Sequence, residues 1–457
     1  MKSLKTDRKE FLKLSLGAAA LGLVPSTIVT GAAADRKTNI PNRYVEPAKE
    51  LEVYGEYDVI VVGGGVAGFA AAIASARNGA KALIIERFPF FGGAATASLM
   101  TKMNGFRNQV EPDGLQTTKG IGEEFILRLK DIDGLGKPYY QKAKKYPNTK
   151  GNLAWSYTFD PEKHKYLALK MVVEQGINIL FHTYFADVIM DGRNITGIIF
   201  ENKSGRQAAF GKVIIDASGD ADVAFKAGAP FWEATYEDGK GLQDNLMYRI
   251  IGFDPEAYCC GPMTETVMTI WGRPKVTLNA TDADKLTAAE IETRLAVYEH
   301  LEQMIKENPI LEGATIVQTA PLLGIRQTRF IEGHYTITGE DALEGRRFED
   351  SIAMASKPIV QYYGYRRYLE HEGYEIPYRC LLPNNVSGLL VAGRCMSSDQ
   401  PAFESWRSQA PCMSLGEAAG TAAALSVDYG VEPGKLDIKL LQKQLIRQGA
   451  EIGQNKS

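Results

Sequence analysis

The stretch Tyr57–Gly93, YDVIVVGGGVAGFAAAIASARNGAKALIIERFPFFGG, leaves this chain few folds to choose from. Asp58 to Val62 is a short β-branched apolar run, as a strand buried on both faces requires. Gly63, Gly65 and Gly68 follow at G-x-G-x-x-G spacing. Val66 to Asn78 predicts a helix of small residues, stopped at Gly79. Lys81 to Ile85 predicts a second strand, ending at Glu86. At that spacing Gly63 permits the strand-to-helix turn, Gly65 lets a pyrophosphate approach bare backbone, and Gly68 lets the helix pack closely on the strand. The free N–H groups of the helix start favour the diphosphate. Glu86 lies where a carboxylate accepts hydrogen bonds from ribose hydroxyls. A glycine-rich turn in another α/β protein is the alternative, but strand, helix, strand and terminal acid in this order favour a dinucleotide site.

The 457 residues allow two domains, or one domain interrupted by an insertion. A net charge of −3 gives no bulk attraction to nucleic acid. The five cysteines include no C-x-x-C, which argues against dithiol exchange and against a zinc or iron–sulfur site. His164, His182, His300 and His371 show no ligand spacing, so no metal is assigned. At the N-terminus Arg8-Lys9 precedes a Gly/Ala-rich run from Leu14 to Val29, then Ala32-Ala33-Ala34. This predicts an exported protein with a cleaved leader over 1–34, resembling a twin-arginine signal with Lys9 in place of the second arginine. A periplasmic or extracellular destination follows, with no membrane span kept after cleavage. Residues 35–52 read as a linker.

Further along, Arg87-Phe88-Pro89-Phe90-Phe91 leads into a second glycine pair, Gly92 and Gly93, followed by Ala94. Gly120 to Lys130 and Pro161 to Gln175 predict helices, the latter capped by Asp160. Strands are expected over 177–182, 186–190, 195–201 and 208–215, with a hairpin turn at 191–194. The last ends in Asp216-Ala217-Ser218-Gly219-Asp220-Ala221-Asp222, where Asp220 and Asp222 would cap the next helix. Leu286 to Asn308 predicts one long helix. The aromatic groups around Tyr139–Phe159 and Tyr362–Tyr378 line a pocket, or pack under a loop or at a domain or subunit interface. The packing readings are preferred, and a homo-oligomer fits the second group.

The opening motif, the Gly92-Gly93 pair, Val213 to Pro230 (VIIDASGDADVAFKAGAP), Gly324 to Ala353 and Ile376 to Ser426 together resemble the FAD-dependent oxidoreductases of the glutathione-reductase-like superfamily. That superfamily's third motif usually ends in Gly-Asp, whereas Leu389 to Arg394 ends in Gly393-Arg394. The resemblance implies an α/β fold: a Rossmann-like FAD-binding domain assembled from both ends of the chain (53–230 and 380–457), with an inserted α+β substrate domain over 231–379. It places Gly63, Gly65 and Gly68 at the pyrophosphate and Glu86 at the ribose, with Arg87 beside it. Gly92, Gly93 and Ala94 lie along the ribityl chain. Ala186 offers backbone to the adenine, and Ser218, Gly219 and Asp220 approach the adenosine side. Gly393, Arg394 and the small-residue helix carrying Gly416 flank the isoalloxazine.

The expected activity is hydride exchange between a small organic substrate and flavin N5, with an unknown electron acceptor. His334 or Tyr335 would manage the coupled proton, and Arg326, Arg329 or Arg394 would hold an anionic group. Ion pairing with neighbouring acids is the structural alternative for the arginines. An NAD(P)-dependent dehydrogenase with one dinucleotide site, and a flavin-containing nucleic-acid-modifying protein, are the competing functions.

Overall fold

Seven strands form the sheet on which the molecule is built: β1 (Glu52–Val62), β2 (Ala82–Ile85), β3 (Asn178–Leu180), β4 (Tyr184–Asp191), β5 (Asn194–Asn202), β6 (Gly205–Asp216) and β7 (Leu389–Val391). The computed structural model describes residues 43–108, 115–139, 156–234, 242–253, 267–360, 366–367 and 369–453. The expected leader, Cys259, Cys260, half of the first aromatic group (Tyr140, Tyr146 and Trp155) and most of the second lie outside them.

The strand order is β3-β2-β1-β6-β5-β4, with β7 also on β6. β1, β2, β3, β6 and β7 are parallel to their neighbours, while β4 and β5 add an antiparallel hairpin to β6. β6 shares its outer edge between two partners. Gly205 to Phe210 pairs with β5, and Ile214 to Asp216 pairs with β7. β1 starts well before its apolar run, so Glu52 belongs to the sheet and not to a linker. Its first half pairs on one side only, with β6, which is why no continuous apolar run marks it. Residues 43–50 before it have no regular structure.

The pleat sends Val59, Val61, Val213 and Ile215 to one face and Ile60, Val62 and Ile214 to the other, and both faces are buried. A fully buried Ile such as Ile60 contributes roughly 1.5–3 kcal/mol. Helices α1 (Val66–Arg77) and α5 (Gln409–Tyr429) pack on this sheet, α2 (Ile121–Asp131) and α3 (Pro161–Val173) pack against them, and α4 (Gln400–Trp406) packs against the short helix Gly339–Glu344. α3 begins on Asp160, whose side chain accepts the Glu162 and Lys163 N–H groups, as its sequence predicts.

A three-stranded antiparallel sheet of Met268–Trp271, Met247–Ile251 and Thr315–Thr319 builds a separate apolar core, to which Leu99 also contributes. The expected single helix over 286–308 is two here, Ala283–Leu295 and Val297–Glu307, broken at Ala296. Buried Thr293 turns its hydroxyl back onto the Ala289 carbonyl (2.8 Å), a contact that bends helices, just before the break. Tyr374 and Tyr378 are core residues, the latter donating to the Pro433 carbonyl at 3.0 Å.

Candidate functional site

The carboxyl ends of β1, β2 and β6 open onto one crevice. Gly63 leaves β1 with a φ of +98°, and a Cβ there would meet the Ala217 carbonyl oxygen at 2.6 Å. A Cβ on Gly68 would stand 1.8 Å from the Gly63 carbonyl oxygen, so the helix rests on the turn. Gly65 differs. It has an ordinary φ of −64°, and its Cβ position meets nothing nearer than Gly93 Cα at 4.0 Å. The space beside Gly65 is open. No side chain caps α1 and no acid occupies its first turn, so its first N–H groups face that space without a protein acceptor.

Glu86 ends β2 with its carboxylate committed at one side. Oε2 accepts the Gly64 N–H at 2.6 Å and Oε1 accepts the Phe88 N–H at 2.9 Å, which fixes the group and leaves a lone pair on each oxygen. Burial raises its pKa, against the pull of those two N–H groups. Arg87 points outward over the Phe88 ring. Gly92 and Gly93, both at positive φ, run back along the first glycine loop, where the Gly92 N–H bonds the Gly64 carbonyl at 2.8 Å. Ala94 is exposed beside them. Ala186 falls where the β4–β5 register slips between Phe185 and Asp187, so its backbone leaves the regular ladder.

Beyond β6, the Asp216 carboxylate accepts the N–H and hydroxyl of Ser218 (3.0 and 2.6 Å) and the Ala224 N–H (2.9 Å). The expectation that Asp220 and Asp222 cap the following helix is therefore corrected. Asp216 and the Ser218 hydroxyl supply the caps, freeing Asp220 to pair with Arg394 and Asp222 with Arg329.

The other side of the crevice comes from the end of the chain. α5 runs alongside α1 in the same direction. The bare faces of Gly416 and Gly420 meet the carbonyls of Ala67 and Ala71, where a Cβ would stand 2.1 Å away in each case. The small residues of this helix are thus spent on packing against α1. That packing runs the two helices parallel, with α5 beginning about six residues ahead of the level at which α1 begins, and α5 also has no side-chain cap and no acid in its first turn. Gly393, at a φ of +92°, stands over Ala67, and Gly105 packs on Pro411.

Of the residues expected to do chemistry, Arg326 and exposed His334 alone have side chains with no hydrogen bond or ion pair among the described residues, and the Arg326 guanidinium lies over the Trp271 ring. Arg394 donates to the Gly219 and Ile325 carbonyls and pairs with Asp220, stitching three loops together. Arg329 donates to the Asp220 carbonyl and to Asp222, both at 3.1 Å, with its guanidinium over Phe225. Tyr335 gives its hydroxyl to Asp341 at 2.9 Å and packs on Phe348, away from the glycine loops. His334 is exposed near Gly434. The structure therefore brings neither His334 nor Tyr335 to the crevice.

It brings others instead. Asp244 and Asn245 are buried, and Asp244 Oδ1 accepts the Arg326 N–H at 2.7 Å. The Asn245 carbonyl accepts the Gly324 N–H at 3.1 Å. Burial pushes the Asp244 carboxyl up to about 7, against Arg326, Arg394 and Arg407. Arg407, between α4 and α5, is pushed down to about 10 by burial and then by Arg326. Little in the sequence marks Asp244 or Asn245, a polar pair just ahead of a strand. Arg407 was visible as a lone cation before the small-residue helix.

Residues 58–269 and 261–445 match the family described as FAD dependent oxidoreductase. Digeranylgeranylglycerophospholipid reductase 2 of Methanothermobacter thermautotrophicus is 29% identical over 174 residues, 38% of this chain and 42% of that protein. Thiamine thiazole synthase of Methanococcus vannielii is 28% identical over 178 residues, 37% of this chain and 58% of that one. The chain thus spans about half the length of the curated relatives it matches. A solved geranylgeranyl bacteriochlorophyll reductase-like protein from Thermoplasma acidophilum superposes with a TM-score of 0.48 at 16% identity, over 87% of this chain and 84% of that one. An open cradle at Gly65, uncapped helix starts and a fixed acid at the end of β2 fit a dinucleotide cofactor, and the family match specifies which: the chain belongs to the FAD dependent oxidoreductase family, with FAD as its cofactor.

Proposed function

We propose that the protein exchanges a hydride between a small organic substrate and the N5 of FAD. The observation that carries this reading is the close parallel packing of α5 on α1, which brings the late small-residue helix against the helix that follows the glycine loop. Bound FAD supplies a two-electron acceptor and donor. The chain does the rest. Gly63, Gly65 and Gly68 with the first N–H groups of α1 hold the diphosphate. Glu86 orients the ribose, and Arg87 lies beside it. The unladdered backbone of Ala186 meets the adenine, with Ser218, Gly219 and Asp220 on the adenosine side. Gly92, Gly93 and Ala94 follow the ribityl chain. Gly393, Arg394 and the start of α5 flank the ring, and Gly416 keeps α5 in place.

Asp244 takes the role first expected of His334 or Tyr335. It is buried at the crevice with Oδ2 unpartnered among the described residues, so it can hold or release a proton near neutral pH. Arg394 and Arg329 position loops, and Arg326 is left to meet an anionic group. The division into an FAD-binding domain from both ends and an inserted substrate domain over 231–379 belongs to the same proposal. So do export through the twin-arginine-like leader and release free of the membrane. An exported fusion of residues 1–34 to a reporter that folds before transport tests the route, and cytoplasmic retention would count against it.

Purified protein should show flavin absorbance, or gain it with added FAD, and should bleach anaerobically with some member of a panel of hydroxy acids, sugars and amines. Colourless protein that takes up no FAD would end this proposal.

A further inference from the structure

Arg326 and Arg407 lie within electrostatic reach of each other and of Asp244, with their guanidinium N–H groups unspent among the described residues. The guanidinium carbon of Arg326 lies 5.3 Å from the centre of the Trp271 ring, and that of Arg407 lies 5.6 Å from the centre of Phe403. A ring face answers part of each charge but none of its N–H groups. Among the described residues, neither guanidinium has a hydrogen-bond or ion-pair partner, and Arg407 Nε is buried without one. Arg394, the third cation nearby, is already neutralised by Asp220. Asp244 and Glu404 lie within electrostatic reach of Arg407, and Asp244 within reach of Arg326, yet neither accepts a guanidinium N–H, so these donors stay buried and unanswered, which is costly.

Acceptors wait beside these donors. Among the described residues Asp244 Oδ2, Gln409 Oε1 and Asn245 Oδ1 are buried without partners, as is the Asn245 Nδ2 donor, and Asn245 is only 1% exposed. Gln409 is held by its amide on the Met100 carbonyl (2.7 Å), just after the second glycine pair, so it belongs to the same wall. A bare inorganic oxyanion would satisfy the arginines and press lone pairs against Asp244 and Gln409. A ligand that is an anion at one end and a donor at the other satisfies all of them.

We infer that Arg326 and Arg407 together seat the carboxylate of an organic hydroxy acid, whose hydroxyl donates to Asp244 Oδ2 or Gln409 Oε1. This names the substrate class of the proposed flavin site and rests on that reading.

The test titrates FAD-loaded protein with glycolate and with both enantiomers of lactate, malate and mandelate, reading the flavin difference spectrum and the unfolding midpoint. Lactamide, propionate, sulfate and phosphate are the controls. At least one hydroxy acid should bind saturably and raise the midpoint. Its amide should give no signal, and its deoxy analogue should bind at least tenfold more weakly. Arg326→Gln and Arg407→Gln should each weaken binding at least tenfold with FAD content unchanged. If a variant fails to fold, the comparison of acid with amide on the unaltered protein decides alone. Equal binding of acid and amide, tighter binding of phosphate or sulfate, or silence from every hydroxy acid overturns the inference. Silence with FAD bound sinks this inference alone, whereas failure to hold FAD sinks the proposed function.

Discussion

Gly416 stands so close to Ala67 that a methyl group on it would lie 2.1 Å from the Ala67 carbonyl oxygen. Because that neighbour is backbone within a helix, it cannot swing aside. Gly416→Ala gains about 1 kcal/mol in helix propensity but must spread α1 from α5. Overpacking of this kind costs about 1–3 kcal/mol, and contact this far inside van der Waals range belongs at the upper end. The variant should be less stable by about 2 kcal/mol net in denaturant unfolding. An unchanged midpoint would show that the helices are not locked at this point.

Gly65→Ala should behave in the opposite way. The residue has ordinary backbone angles and open space where the methyl would go. Apo-protein stability should stay within about 0.5 kcal/mol, while FAD affinity drops at least tenfold. Fluorescence titration with FAD and thermal unfolding of the apo form separate the two effects. Unaltered FAD affinity would remove the cofactor from this loop.

His164 is fully buried among Phe69, Phe125 and Phe159, and neither ring nitrogen has a partner among the described residues. Burial pushes its pKa from 6.5 down to about 3. The unfolded chain therefore binds the proton that the folded chain refuses, and stability falls as pH drops from about 6.5 toward about 3. His164→Leu should flatten that acid limb and raise stability at neutral pH by about 1–2 kcal/mol, by removing two unsatisfied polar atoms. Unfolding midpoints at pH 4 and pH 7 in both proteins check it.

Glu417 works in the other direction. Its Oε2 accepts the Ile121 N–H at 2.9 Å, tying α5 to the start of α2, and burial pushes its pKa from 4.5 up to about 7. The folded state holds the proton more tightly, so its contribution is complete below about 4.5 and lost as pH rises through about 7. Glu417→Gln keeps an acceptor for Ile121 and cannot ionise. The variant should lose less stability than the parent between pH 5 and pH 8, by a few kcal/mol at most.

Asp244 faces Arg326, Arg394 and Arg407 and titrates at about 7. Below that pH its neutral carboxyl leaves the arginines free to attract an anion. Above it, the carboxylate opposes one. Hydroxy-acid affinity should therefore fall severalfold from pH 6 to pH 8.5, and Asp244→Asn should bind with little pH dependence. A parent protein with a flat profile would place the titrating group elsewhere.

The nucleotide half of the crevice was legible because its physics is local. Gly63, Gly65, Gly68 and Glu86 sit within one β-α-β unit, where spacing alone dictates geometry. The α5 helix was legible in composition, although its small residues turned out to serve Ala67 and Ala71. The wall proposed to meet substrate was not legible. Arg329 and Arg394 look as available in sequence as Arg326, and only their contacts with Asp222 and Asp220 separate them. Asp244 acquires its character from burial, a property of the assembled fold that no neighbouring letter announces. The one-helix expectation for 286–308 meets an interruption of a single residue, Ala296, which keeps helical backbone angles and bonds to Glu292 and His300 on either side.

The divided edge of β6 bears on how the protein is made. Its final residues wait for Leu389 to Val391, and α5 comes later still. A ribosome partway through the message can complete the early glycine loop and the β4–β5 hairpin, yet the ring-facing wall does not exist until nearly all of the polypeptide has emerged. On the proposed reading, in which α5 flanks the flavin, a complete cofactor site therefore exists only once synthesis has passed α5.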